Sequence, residues 1–393
     1  MLNNGKIKFL LNEVASLKSR NIIEDSVAEK ITEYYKAKMS PKNIAKLILI
    51  SLSIFAALLI IGGVTLVVVT FNWNIFTKEV KTVCAFLLLI IPQALSLVQL
   101  LKENENLKKK ETFSLVLALF FGISVAFIGQ IFRLPDNIES FLLMWLISTI
   151  FIIYIFNSIS STVLYSILLI SYTSVIQASG KIGIVFYPLL ALLIPFYITE
   201  YRKKTILRTK IFDYFLIITI ISGLGITLEK VIPGLWIIAY ANLFVLFYLY
   251  GILFEKNDRF SLFYSPFKIA GILGVAFFAY LLTFHWPWES IGWNFYRTEE
   301  RFNFAASMFD YFLCIVLPIA SAYLFYLALI RKKILNYILC GFGILNIFIY
   351  VIVSSLYNSG SKGILLFPAW AINLFVVAYC LYFFYVGYKN KSL

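Results

Sequence analysis

Few residues in this chain are of a type that does chemistry, and most of those gather in one place. Gln130, Arg133, Asp136, Asn137 and Glu139 surround Pro135 within a ten-residue stretch. Arg133 and Asp136 are three apart and could pair, or could bind an anionic or zwitterionic group. The plainer account is that Arg133 snorkels, Asp136 caps the next helix and Pro135 ends the preceding one. His285, the single histidine, and Glu289 form a smaller group. Together these seven residues make a candidate outer-face polar cluster. No reaction type follows from it, and an enzyme built here would need both groups to meet in space as acid and base. The sequence has no HExxH pair, G-x-S-x-G elbow, Walker A loop or Ser/His/Asp constellation. Cys84, Cys314, Cys340 and Cys380 all fall inside apolar stretches, where a thiol is a small hydrophobe. The expectation is a protein that is not an enzyme, with no metal and no cofactor.

A second set carries amides. Gln93, Gln99, Gln130, Asn242, Asn346 and Asn373 lie within long apolar stretches. They read either as interhelical hydrogen bonds, each worth about 1 kcal/mol, or as the lining of a polar path. Charge in the middle of such stretches is costly and usually functional. Here Asp213 and Asp310 stand only near stretch starts and Glu229 near an end. That scarcity argues against a proton- or sodium-coupled carrier built on a buried carboxylate.

The elements that must position these residues are helices in a membrane. Of 393 residues, 61% are hydrophobic and only 14% charged, whereas a soluble domain carries about a quarter charged residues. Stretches near twenty residues, separated by short polar breaks, must satisfy their backbone internally as helices in lipid. Alternating β-barrel segments are not seen. The fold class is therefore all-α: a polytopic transmembrane helical bundle of twelve spans. These lie near 44–69, 82–101, 112–132, 139–156, 161–178, 182–199, 211–228, 235–254, 269–285, 308–330, 334–357 and 364–388. The spans between 139 and 199 are joined by very short turns, NSIS and ASGK, which also suit a re-entrant segment.

The net charge of +14 follows from topology rather than nucleic-acid binding. With both termini inside, 26 of the 34 basic residues fall on the inner side, and eight on the outer side. Inverting the chain would translocate the basic runs at 108–110, 202–204 and 331–333. The expectation is a bacterial cytoplasmic-membrane location with both termini in the cytoplasm. The outer loop 285–307 carries Trp286, Trp288 and Trp293, as an interfacial anchor or a lid.

Residues 1–43 read as a small cytosolic helical hairpin. Ile7, Leu10, Leu11, Val14 and Leu17 recur at helical spacing, as do Val27, Ile31, Tyr34 and Tyr35; Ser26 and Glu29 have capping-box spacing. The hairpin is too small to bury much core and is a candidate contact for a cytosolic protein partner. The organisation is then 1–43 hairpin, 44–199 first membrane half, 200–210 basic cytoplasmic linker, 211–388 second half and 389–393 tail. Two similarities recur six spans apart: ASGKIGIVFYPLL with NSGSKGILLFPAW, and GISVAFIGQIFRLPDNIES with GILGVAFFAYLLTFHWPWES. They suggest a parallel 6+6 repeat, as in some transporters. Chance likeness among apolar segments is the competing account.

VVVTFNWNIFTKEVK and FGISVAFIGQIFRLPDN resemble the bacterial membrane-protein family called domain of unknown function 2157. The residues carrying the resemblance are Asn72, Trp73, Gly122, Gly129, Gln130 and Phe132, the last standing where that family commonly has tyrosine. It covers roughly residues 10–160. What it implies is the architecture, with no assigned activity. Three functions remain in order of preference: a permease-like transporter for a small solute, a non-transporting scaffold or envelope sensor acting through the hairpin, and an enzyme on a lipid-linked substrate. The bilayer is the expected partner, and nucleic acid is not.

Overall fold

The computed structural model describes residues 25–38, 77–101, 107–132, 137–181, 183–202, 206–228, 234–255, 265–288, 291, 304–333, 335–358 and 366–389, with residues 13, 14 and 17. Two compact units divide the chain at Lys78. In the first, α1 (Asp25–Lys38) is the second arm of the expected hairpin. Most of the first arm, span 44–69, Asn72 and Trp73 lie outside the described residues.

The second unit is entirely helical among its described residues. Its elements are α2 (Lys78–Leu101), α3 (Leu107–Ile131), α4 (Ile138–Phe156), α5 (Ile159–Ala178), α6 (Phe186–Ala191), α7 (Ile194–Arg202), α8 (Ile206–Thr227), α9 (Leu235–Phe254), α10 (Pro266–Leu282), α11 (Phe304–Ile330), α12 (Tyr337–Asn358) and α13 (Leu366–Lys389). Among the described residues, ten helical segments, one of them the broken Gly183–Tyr201, are long and apolar enough to cross a membrane. The shorter α10 is an eleventh apolar helix. Each of the eleven expected spans from 82 onward therefore has a helical counterpart.

The span expected at 182–199 is broken. A 3-10 turn at Gly183–Val185 leads into α6, and the helix is interrupted at Leu192 and Leu193 before α7. Pro195 lacks the amide proton that would bond back one turn, so the ladder cannot continue. Freed carbonyls need partners in lipid. The Tyr165 hydroxyl donates to the Leu189 carbonyl at 2.8 Å, and the Tyr154 hydroxyl to that of Leu192 at 2.5 Å.

Two cores form. In the first, α5 packs against α3, α4 and α8, around Leu146, Tyr165, Leu169, Phe186 and Phe212. In the second, α9 is surrounded by α10, α11 and α12, around Leu249, Val275, Phe278, Leu339 and Phe342. α8 enters both, through Phe212 on one side and Ile217 and Leu224 on the other. The central helix is thus the fifth span in one bundle and the eighth in the other. A six-span repeat would pair the fifth with the eleventh, so the packing leaves a 6+6 duplication without support.

The helix ends sort into two layers. Glu111, Asn157, Glu200, Arg208, Glu255 and Phe267 meet at one end, and Arg331 lies over the Phe254 ring there. This is the basic end. At the opposite end Glu139 meets Lys181, and Gly234 lies against Ile291 and Tyr350. That alternation is the one the basic-residue count requires of spans 3 to 10.

Candidate functional site

α8 begins ILRTKIFDYF, and its polar residues fall on different sides of the first two turns. Arg208 faces the first bundle. Its guanidinium reaches Glu111 Oε1 at 2.8 Å and lies 3.6 Å from Glu200 Oε2. It also donates to the carbonyl of Asn157. Asn157 ends α4 in the left-handed conformation, φ 53°, which asparagine tolerates better than most residues.

Glu111 in turn caps α5. The Ile159 and Ser160 amides donate to it at 3.1 and 2.8 Å, and the Ser158 hydroxyl at 2.6 Å. A carboxylate at a helix N-terminus satisfies orphan amides and meets the positive end of the macrodipole. Behind it runs a file of buried hydroxyls. Ser114 lies 2.5 Å from Ser158, and Ser161 lies 3.1 Å from Ser114. Thr162, Ser166 and Thr173 continue along another side of α5, each bonded to a carbonyl one turn back.

Lys210 faces the second bundle. Its ammonium lies 3.2 Å from Asp213 Oδ2 and 3.3 Å from Glu255 Oε1. Glu255 repeats the role of Glu111: it accepts from the Phe267 and Lys268 amides at 3.1 and 3.3 Å. Pro266 stands in the first turn of α10, where a missing N–H costs nothing. At the far end of the short α10 the buried Trp288 indole donates to the Leu282 carbonyl at 2.8 Å. Tyr197 and Tyr250 bring their hydroxyls within 3.2 Å of each other beside this group.

The ion pairs of this layer set Glu111, Glu200, Asp213 and Glu255 against Arg208 and Lys210, and Glu200 and Asp213 are fully or almost fully buried. The sequence has charge only near span margins, a scarcity that counts against a coupled carrier built on a buried carboxylate. Charge does stand at the margins, and two of these carboxylates, Glu200 and Asp213, are buried there. The one sequence signal was the i, i+3 pair of Lys210 and Asp213 with Arg208 before it. Nothing in the sequence marks Glu111 and Glu255, because each caps a helix other than its own.

The outer-face cluster fares differently. Arg133, Asp136 and Glu289 lie outside the described residues. Asn137, not Asp136, caps α4, accepting from the Ser140 amide at 3.1 Å. Glu139 pairs with Lys181 at 2.6 Å, a partner the sequence did not suggest. Gln130 and His285 are exposed.

Among the amides, Asn242 and Asn346 are buried in the second bundle. Asn242 donates to the Ile238 carbonyl at 2.9 Å and accepts from Ser321 at 3.4 Å. Asn346 donates to the Phe342 carbonyl at 2.9 Å, while its Oδ1 has no partner. Gln93 and Asn373 stand on exposed faces of α2 and α13. Gly122 has a clear cause: a Cβ there would lie 2.2 Å from the Trp145 ring, whose indole donates to the Ala118 carbonyl. Gly129 has open space around it. A cavity of about 220 Å³ between α2 and α3, lined by Leu88, Ile91, Pro92, Phe113 and Val116 among others, is wholly apolar.

A family model described as a predicted membrane protein, domain of unknown function 2157, matches residues 15–161. No curated protein and no solved structure matches the chain. Family model and helices together make this a multi-pass α-helical membrane protein.

Proposed function

We propose that this protein is a permease-like carrier of a small solute, non-enzymatic, seated in a bacterial cytoplasmic membrane with its basic end in the cytoplasm. The observation that carries the reading is the joint at that end. Two bundles with separate cores are held together there by ion pairs that both start from α8. Bundles that move as bodies around a fixed site are the general device of secondary transporters. Buried hydroxyls run along α5, the helix that packs on α8: Ser161 against Ser114 of α3, then Ser166 and Thr173 on another side, together a polar seam available to water once the joint opens.

Single cysteines at Ser161, Ser166 and Thr173 test this, in a background without Cys84, Cys314, Cys340 and Cys380. Membrane-impermeant thiol reagents are applied to each side of sealed vesicles. The expected outcome is labelling at graded depth from one side, extended from the basic side by Glu111→Gln with Lys210→Met. No labelling at any depth, in either background, sinks the carrier reading.

The exposed amides of Gln93 and Asn373 favour a second reading, a scaffold or sensor. Polar groups within spans usually face protein or a water-filled cavity rather than lipid, so these two would meet other membrane helices, while the N-terminal hairpin meets a cytosolic partner. Cross-linking from Gln93→Cys and Asn373→Cys in intact membranes tests it, and a protein recovered only as monomer counts against it.

A further inference from the structure

One carboxylate of the basic end is not accounted for by the joint. Asp213 lies two turns into α8, and only 2% of its surface is exposed. The groups facing it come from three helices. α8 itself presents Lys210, at 3.2 Å, and Tyr214. α7 presents Tyr197, and α9 presents Tyr250 with Glu255 just beyond its end.

Glu255 has a settled place. Two amides at the start of α10 donate to it, and it takes half of Lys210. Helix N-terminal amides favour the charged form of a carboxylate. Asp213 has the other half of that lysine, with the Tyr197 hydroxyl beside it. Its Oδ2 shares the ammonium, and its buried Oδ1 has no hydrogen-bond partner. Two negative charges and one positive in a largely buried site leave a charge uncompensated, and such charge is destabilising.

We infer that Asp213 is a proton-binding site: it holds a proton on Oδ1 and stands as a neutral acid while Lys210 and Glu255 form the ion pair. A metal cation in the same place would sit against the Lys210 ammonium. A proton bonded to Oδ1 is on the oxygen that the ammonium does not touch. The tyrosine hydroxyls of Tyr197 and Tyr250 are the nearest groups through which that proton could be relayed. The inference does not depend on solute movement, and its test reads protonation directly.

The full-length protein in lipid nanodiscs at neutral pH is examined by infrared difference spectroscopy in D2O. Wild type minus Asp213→Asn should show the carbonyl band of one protonated carboxylic acid. Asparagine mimics the neutral acid in shape, so this variant should keep the wild-type melting temperature. Glu255→Gln is the second arm, needed if Asp213→Asn fails to fold. It leaves Lys210 wholly to Asp213, so Asp213 should ionise and the same one-equivalent band should vanish. Loss of an ionised-carboxylate band in the first difference, or an unchanged acid band in Glu255→Gln, overturns the inference. So does a wild-type band that falls when sodium chloride replaces choline chloride, since that outcome assigns the site to a metal cation.

Discussion

α5 and α9 occupy the same place in their bundles, at the centre, and are built in opposite ways. α5 buries hydroxyls: Ser158, Ser161, Thr162, Ser166 and Thr173 are all 2% exposed or less. α9 buries mainly aliphatic and aromatic side chains; its one buried amide is Asn242, and its other polar contacts are tyrosine hydroxyls such as that of Tyr248, which accepts from the Asn336 amide at 2.9 Å. It gains contact instead by bringing backbones together. A Cβ at Gly251 would lie 2.4 Å from the Lys268 amide nitrogen, and one at Gly271 2.4 Å from that of Tyr248. Lipid is as apolar as the interior, so helices associate in it by close packing and by hydrogen bonds. The second bundle takes the first route and the first bundle the second. The first is therefore the part that could admit water without losing its packing principle.

Substitutions can break this contrast. The largest effect is expected at Gly271→Leu, where backbone on the facing helix cannot yield. Overpacking costs about 1–3 kcal/mol and occasionally more, and here we expect no recoverable folded protein by size-exclusion chromatography. Glu111→Ala should follow, costing about 3 kcal/mol by leaving the partly buried Arg208 without its main partner and α5 without its cap, read as a fall in the chemical-denaturation midpoint. Gly122→Ala, in the first bundle, meets only the Trp145 side chain, so a loss of about 1–3 kcal/mol with the fold retained is expected. If Gly122→Ala proves as severe as Gly271→Leu, the two bundles do not differ in the way described. Ser161→Ala removes one link of the hydroxyl file and should cost about 1 kcal/mol. Asn346→Leu is the smallest. Its oxygen is unpartnered, so an apolar replacement should leave the melting temperature near that of wild type.

What could be read beforehand follows the same divide. The span at 235–254 was legible to the residue, because an unbroken apolar run between Gly234 and Glu255 has one outcome in lipid. The break at Leu192–Leu193 was not, although Pro188 and Pro195 were visible, because a proline disrupts a helix only where something else takes up the freed carbonyls. Tyr154 and Tyr165 do so, from spans that only folding brings near. The ionic joint was hidden for a related reason. Glu111 and Glu255 look like ordinary loop-edge charges, and their partners are 97 and 45 residues away at Arg208 and Lys210. The outer cluster around Arg133 looked richer because its polar residues are adjacent in sequence. Of that cluster the described residues yield a cap at Asn137 and a pair at Glu139.

The spacing of Arg208 and Lys210 has a mechanical consequence. Two residues on a helix are separated by about 200° around its axis, which is why one cation serves each bundle. Any twist of α8 about that axis carries both side chains in the same rotational sense. A twist therefore displaces the cation that serves one bundle together with the cation that serves the other. α8 is a shared axle: through this helix the ionic contact of one bundle cannot be disturbed by rotation without moving that of its neighbour.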